Sequence, residues 1–397
     1  MRFFKSKFIN LLGLVLLGLA GLFLVASTFK GPQPKVKVTV FVHGTVGCSL
    51  NIFNPTQCKS ENFDDQLLSA RLVKKYRNHE LMCYDQILGA EGLHEISSAT
   101  LPQWHAAHHL IPAYDEVAGC IDAKADIQKY LIFGWSGFLN HGARRKAGFE
   151  LYNSLADYCD QIRYTYGVDP ELDLITHSHG GNVALWLAEA EKECKRNLKI
   201  DVLVMFGTPM QTEMACAIQS DVFRTMVMIY SRGDSVQQRD YFSTKGKSYR
   251  RMVDIADLAQ LKQEKPHLYR CDLACIVNKD RKRITHTNMW MSGRSNSVFY
   301  WMEPVPLMVI TPVILQILQH NPCPIHAEIY LSDKNDGCLV MINEFSGDKY
   351  YDTHVLRSTL VAWAQHMRDG WQLSQDKSHH PFFNRKNWDV FKQIVWA

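Results

Sequence analysis

One short stretch of this chain has residue types and spacing suited to chemistry: Thr176-His177-Ser178-His179-Gly180-Gly181. A serine hydroxyl is a weak nucleophile until a base takes its proton and fixed dipoles meet the negative charge that develops. The flanking sequence has the right form for that task. Leu172-Asp173-Leu174-Ile175-Thr176 reads as a strand, and Asn182-Val183-Ala184-Leu185-Trp186 reads as the start of a helix. A sharp turn between them lifts the serine out of the sheet edge and sets a helix N-terminus beside it. Such a turn needs small neighbours. Gly180 meets that need two residues after the serine, but Thr176 stands where the Gly-x-Ser-x-Gly pattern has its first glycine. The bland alternative is an ordinary strand-to-helix connection with a capping serine.

The elements that must position this turn are legible as alternation. Residues 36–42 form a Val-rich apolar run, the mark of a buried strand, and lead into His43-Gly44-Thr45. Strands are predicted at 129–133, 171–176, 200–206, 224–230 and 284–291. Helices are predicted at 142–166, with an apolar face, and at 179–194. Continuous apolar strands alternating with helices imply a doubly wound, mostly parallel α/β sheet covered on both faces. Residues 48–126 lack clean periodicity and read as insertions and peripheral helices, with a cap over the site expected at about 48–125. The apolar stretch 305–319 is either a lid or a core helix, and apolar helices usually pack inside.

Val40-Phe41-Val42-His43-Gly44-Thr45 and Thr176-His177-Ser178-His179-Gly180-Gly181-Asn182 resemble the lipase and esterase branch of the α/β-hydrolase superfamily. Phe206-Gly207-Thr208-Pro209, Ile229-Tyr230-Ser231-Arg232-Gly233-Asp234 and Trp135-Ser136-Gly137 resemble further segments of that branch. The likeness covers residues 36–240. It implies the α/β-hydrolase fold and a Ser-Asp-His triad in that chain order. It also implies hydrolysis of an ester-like bond with no metal and no cofactor. By the same resemblance the oxyanion donors are backbone N–H groups of His179 and of Thr45 or Val46.

The acid is expected at Asp234, just past an apolar strand, where Gly233 permits a sharp turn. The base is expected downstream. His326 follows a proline-bounded loop and is the preferred residue. His286 is the second choice, because it falls inside a predicted strand and reads there as a packing residue. His177 and His179 are excluded as the base, since adjacent side chains diverge at a tight turn.

The remaining sequence bounds the function. The 397 residues are ordinary in composition, 46% hydrophobic and 21% charged, which argues against disorder. A net charge of +4 gives no reason to expect a nucleic-acid partner. The eleven cysteines form no Cys-x-x-Cys pair and no zinc-spaced cluster, and their pairing is undetermined. Residues 8–29 are an uncharged apolar run preceded by Arg2, Lys5 and Lys7. That length suits a membrane anchor better than a signal-peptide core of ~7–15 residues. The expectation is therefore an anchor or signal within residues 1–30, and one hydrolase domain over 31–397 on the extracytoplasmic side or secreted. The substrate would be a small-molecule or lipid ester. Two rivals stay open: an amidase or thioesterase with the same three groups, and a non-catalytic scaffold of this fold acting as a binding module.

Overall fold

Valine, isoleucine, leucine and methionine dominate the strands because nearly every strand position at the centre of this sheet is buried on both sides. In Val36–Val42 only Lys37 escapes full burial. The computed structural model describes residues 33–45, 83, 86–96, 101–102, 105–121, 125–238, 248–277, 284–291, 305–319, 326–334, 337–344, 347–352, 358 and 361–365. In chain order the principal elements are β1 Val36–Val42, β2 Gly92–Glu95, α1 Ala106–Ile121, β3 Ile127–Gly134, α2 His141–Tyr166, β4 Glu171–His177, α3 His179–Leu185 and α4 Leu187–Cys194. They continue with β5 Ile200–Phe206, β6 Met210–Gln211, β7 Phe223–Tyr230, β8 Ser248–Tyr249, α5 Leu258–Glu264, β9 Tyr269–Val277, α6 Thr311–Gln319, β10 His326–Lys334, β11 Gly337–Glu344 and β12 Gly347–Asp352.

Ten of these strands make one sheet in the order β12-β11-β10-β9-β7-β5-β4-β1-β3-β2. The run from β10 to β3 is parallel, and β2, β11 and β12 pair antiparallel at the edges. This is an α/β fold built on a mostly parallel sheet. From β1 the chain first builds outward to β3 and then returns to place β4 on the other side. The order therefore reverses at β1 and β4. In open parallel sheets the crevice beyond the strand C-termini at such a reversal is where ligands bind. His43-Gly44 and Ser178 both lie there.

One core lies between the sheet and α2, α3 and α4, with Val38, Val40, Leu151, Leu155, Leu174 and Val183 among its members. The other lies under α1 and α6 and includes Phe41, Ile175, Val204, Leu110 and Ile314. α2 starts at Asn140, whose side chain accepts from Ala143 N–H, and ends at Gly167 in the left-handed region.

The structure departs from the sequence reading in several places, among them β2, β10, β11 and β12, for which no strand is predicted. Residues 284–291 form a 3-10 turn at Thr287–Met289, not a strand. The strand on that side of β7 is β9, which the sequence reading omitted. The helix expected over 179–194 is broken at Trp186. Within the expected cap, α1 packs on the sheet instead: Tyr114 meets Phe41 edge-on at 5.5 Å. The 305–319 stretch is core: Leu307, Met308, Val309, Ile310, Val313 and Ile314 are all buried. Most of the cap region and the apolar run 8–29 lie outside the described residues. Among the described residues no helix is long and apolar enough to cross a membrane.

Candidate active site

β4 ends at His177, the next residue is Ser178, and α3 begins at His179. To turn that fast, Ser178 adopts φ 51° and ψ −130°. A β-carbon clashes there, so non-glycine residues hold such a conformation only when their surroundings impose it. The surroundings are visible. Ser178 N–H donates to Phe206 O at 2.8 Å, and Gly181 N–H donates to Ser178 O at 3.0 Å. A Cβ added to Gly44 would stand 2.7 Å from Ser178 Cβ, so β1's turn can lie against the serine only because residue 44 is glycine. Gly180 lies equally close to the Val42 and His43 carbonyls. Thr176 fits where glycine is usual because its side chain turns aside: Oγ1 donates to Val204 O at 3.0 Å.

The His43-Gly44 turn is itself fixed. His43 Nδ1–H donates to Gly44 O at 2.7 Å, while Nε2 accepts from Trp135 N–H at 3.2 Å. The Trp135 indole N–H donates back to His43 O at 2.8 Å. Thr45 follows directly and its Oγ1 is buried; Val46 lies outside the described residues. His179 N–H belongs to the first turn of α3, where backbone donors have no partner within the helix. His179 Nδ1 accepts from Asn182 Nδ2 at 3.1 Å.

Asp234 sits past the end of β7, fully buried. Its Oδ1 accepts from Gln237 N–H at 3.0 Å, capping a single helical turn. Its Oδ2 accepts from His286 Nδ1–H at 2.7 Å. A Cβ on Gly207, which has φ +60°, would be 2.9 Å from both Asp234 Oδ2 and His286 Nδ1. Gly207 follows Phe206, whose carbonyl holds Ser178 N–H. The Asp–His pair therefore lies over the end of β5, next to the serine turn. His286 also meets the serine's other neighbour: His177 Nε2–H donates to His286 O at 3.1 Å, and the two rings lie 4.5 Å apart. Ser178 Oγ and His286 are not hydrogen-bonded to each other.

The expectation for His326 needs correction. His326 begins β10 and is level with Asp272, Met228, Met205 and Thr176 in successive strands. It is thus four strands from β4. At ~4.8 Å per strand that is about 19 Å, far beyond the ~3 Å reach a base needs. Its ring lies 6.2 Å from that of Tyr230, and burial with nearby Arg251 lowers its pKa. The imidazole facing Asp234 is His286.

Sequence reasoning missed two contributors. Gln237 ties the acid's turn to the end of β5, its Nε2 donating to Thr208 O at 2.7 Å. The Asp234-x-x-Gln237 spacing, that of a capping box, was its signal. Trp290, buried beside His177 with their rings only 7° from parallel, carried no signal in the sequence.

No family model matches this chain, and no curated protein matches it. Among solved structures it is similar to the lin2722 gene product of Listeria innocua, 13% identical over 75% of this chain and 83% of that one, with a TM-score of 0.22. It is also similar to the peroxisomal alpha-beta-hydrolase Lpx1 of Saccharomyces cerevisiae, 10% identical over 92% and 86%, with a TM-score of 0.23. At such scores the fold assignment stands on strand order and register alone.

Proposed function

We propose that this chain is a serine hydrolase of the α/β-hydrolase class that cleaves carboxylic esters with Ser178 as nucleophile, His286 as base and Asp234 as acid. The observation that carries the reading is the backbone of Ser178 at φ 51°, ψ −130° beside a buried His286–Asp234 pair. Strain of that kind at a strand-to-helix turn is stored where a side chain must be presented.

In this reading Asp234 holds His286 by Nδ1–H, which leaves Nε2 free to accept the Ser178 proton. Ser178 Oγ forms a bond to the ester carbonyl carbon, and the C=O π pair moves to oxygen. Backbone N–H groups of His179 and Thr45 receive that oxyanion. Its collapse breaks the bond to the leaving alkoxide, which takes the proton from His286 Nε2. Water then attacks the acyl-serine as His286 removes its proton, and Ser178 is reprotonated as the acid departs. The open contact between Ser178 Oγ and His286 is compatible with catalysis, because such bonds tighten on substrate binding. It is also the observation that favours the second reading, a non-catalytic scaffold. The preference for esters over amides or thioesters rests on the resemblance of the His43-Gly44 and Ser178 segments. The apolar run 8–29 would tether the enzyme to a membrane, and the substrate would be a small-molecule or lipid ester.

A fluorophosphonate probe tests both readings. The hydrolase reading expects covalent labelling at Ser178 and turnover of short p-nitrophenyl esters. A folded protein that neither labels nor turns over is the scaffold.

A further inference from the structure

His177 is the elbow residue with the least freedom to be incidental. It ends β4, is buried and immediately precedes Ser178. A carbonyl can only accept, so the contact with His286 O requires a proton on His177 Nε2. The same ring is nearly parallel to the Trp290 indole, at 5.5 Å between centroids and 7° between planes. Trp290 in turn leans on Phe41 of β1 at 6.4 Å. His286 and Trp290 stand at either side of the 3-10 turn Thr287–Met289. One imidazole therefore grips both ends of the turn that carries His286.

We infer that His177 is a positioning residue: through its Nε2–H bond to the His286 carbonyl and its stack on Trp290, it docks the 284–291 turn onto the strand that ends in the nucleophile. The inference rests on the hydrolase reading and deepens it. Asp234 fixes one nitrogen of the His286 ring and does not itself hold the backbone of that residue. The connection that carries it runs from the end of β9 to the start of α6 and has no long helix or strand of its own in the described residues. A ring held at Nδ1 alone can swing about that bond. A second hold on the backbone, supplied by the residue next to Ser178, sets the distance between Nε2 and Oγ. A misplacement of about 1 Å between reacting groups costs on the order of 100-fold in rate. Burial and the neighbouring His286 push the His177 pKa well below the ordinary histidine range, so it stays a neutral donor.

The experiment measures the rate of fluorophosphonate labelling for the full chain and for two variants. His177→Phe keeps a ring against Trp290 but removes the donor. His177→Gln keeps a donor at about the distance of Nε2 but removes the ring. His177→Phe should label about 10–100-fold more slowly, through the maximal rate and not through probe affinity, with thermal unfolding little changed. His177→Gln should recover most of that loss. Equal slowing in both variants, or wild-type labelling by His177→Phe, overturns the inference and leaves the hydrolase reading intact. Failure of the wild type to label overturns the hydrolase reading and the inference with it. Should His177→Phe not fold, the tautomer decides: nitrogen NMR of histidine-labelled wild type should find His177 protonated at Nε2 from pH 5 to 9. An Nδ1–H tautomer excludes the bond and overturns the inference.

Discussion

The two ends of the central strands each bury a carboxylate, Asp173 at one and Asp234 at the other, and they do so differently. At the N-terminal ends of β1, β4, β5 and β7, cations face carboxylates. Lys37 Nζ is 2.8 Å from Asp173, Lys35 is 3.2 Å from Glu171, and Arg224 is 3.0 Å from Asp201. At the C-terminal ends the buried Asp234 carboxylate accepts from an imidazole and a backbone N–H. The first arrangement sets lysine and arginine against the carboxylates. The second sets an imidazole against the carboxylate, next to a serine whose backbone is strained. Burial alone therefore does not mark a site. A titratable pair beside stored backbone strain at a topological reversal does.

That contrast can be broken first at Ser178. Ser178→Ala should lower ester turnover by at least about 10⁴-fold while leaving the circular-dichroism spectrum unchanged. Turnover at the wild-type rate would make the C-terminal end no more catalytic than the other. His286→Ala should match the serine variant, because triad members act as a unit. His326→Ala should stay within about threefold of wild type, since it lies four strand spacings from β4; steady-state rates on the same ester distinguish the two histidines. Asp234→Asn should lose about 10³–10⁴-fold, because an amide cannot hold His286 in the required tautomer.

The smallest effect belongs to the opposite end. Asp173→Asn should leave turnover within about twofold but change how stability follows pH. Burial raises the Asp173 pKa from 3.8 to about 6 despite the Lys37 ammonium 2.8 Å away, which acts to lower it. The folded protein thus keeps a proton that the unfolded chain gives up. The stabilisation from this group is complete below pH ~4 and is lost as pH rises through ~6. The upper bound on that loss is roughly 3 kcal/mol. Urea midpoints at pH 4.5 and 7.5 should draw closer together in Asp173→Asn. An unchanged gap would show that Asp173 is not the group responsible.

The strands that frame the serine were legible because each is rich in aliphatic residues, with at most one charge inside the run, and is bounded by turn residues. β9 was not, since Arg270 and Asp272 interrupt its pattern. Both are buried there with partners of their own. Arg270 donates to several carbonyls, among them Ile218 O at 2.6 Å, and Asp272 accepts from Met252 N–H at 2.9 Å. No periodicity shows that a charge will be satisfied by distant backbone. The position of Asp234 just past β7 was legible. His286 was misjudged because 284–291 imitates a strand, yet Thr285 and Asn288 knot it into a turn: Thr285 N–H donates to Asn288 Oδ1 at 2.8 Å. His326 misled in the opposite direction. Ile325-His326-Ala327-Glu328-Ile329 alternates as a strand should, and a strand is what it enters.

The spacing of the three site residues along the chain has a consequence for how the protein is made. The strained serine turn is complete once β4, α3 and β5 are present, but His286 lies 108 residues after Ser178. At ~5–20 residues per second a ribosome takes roughly 5–22 s to cover that stretch. Through that interval the nascent chain carries Ser178 without His286. On the hydrolase reading, competence would arrive late, when the turn at 284–291 settles beside a nearly finished sheet, and an unfinished chain would not act on the esters around it.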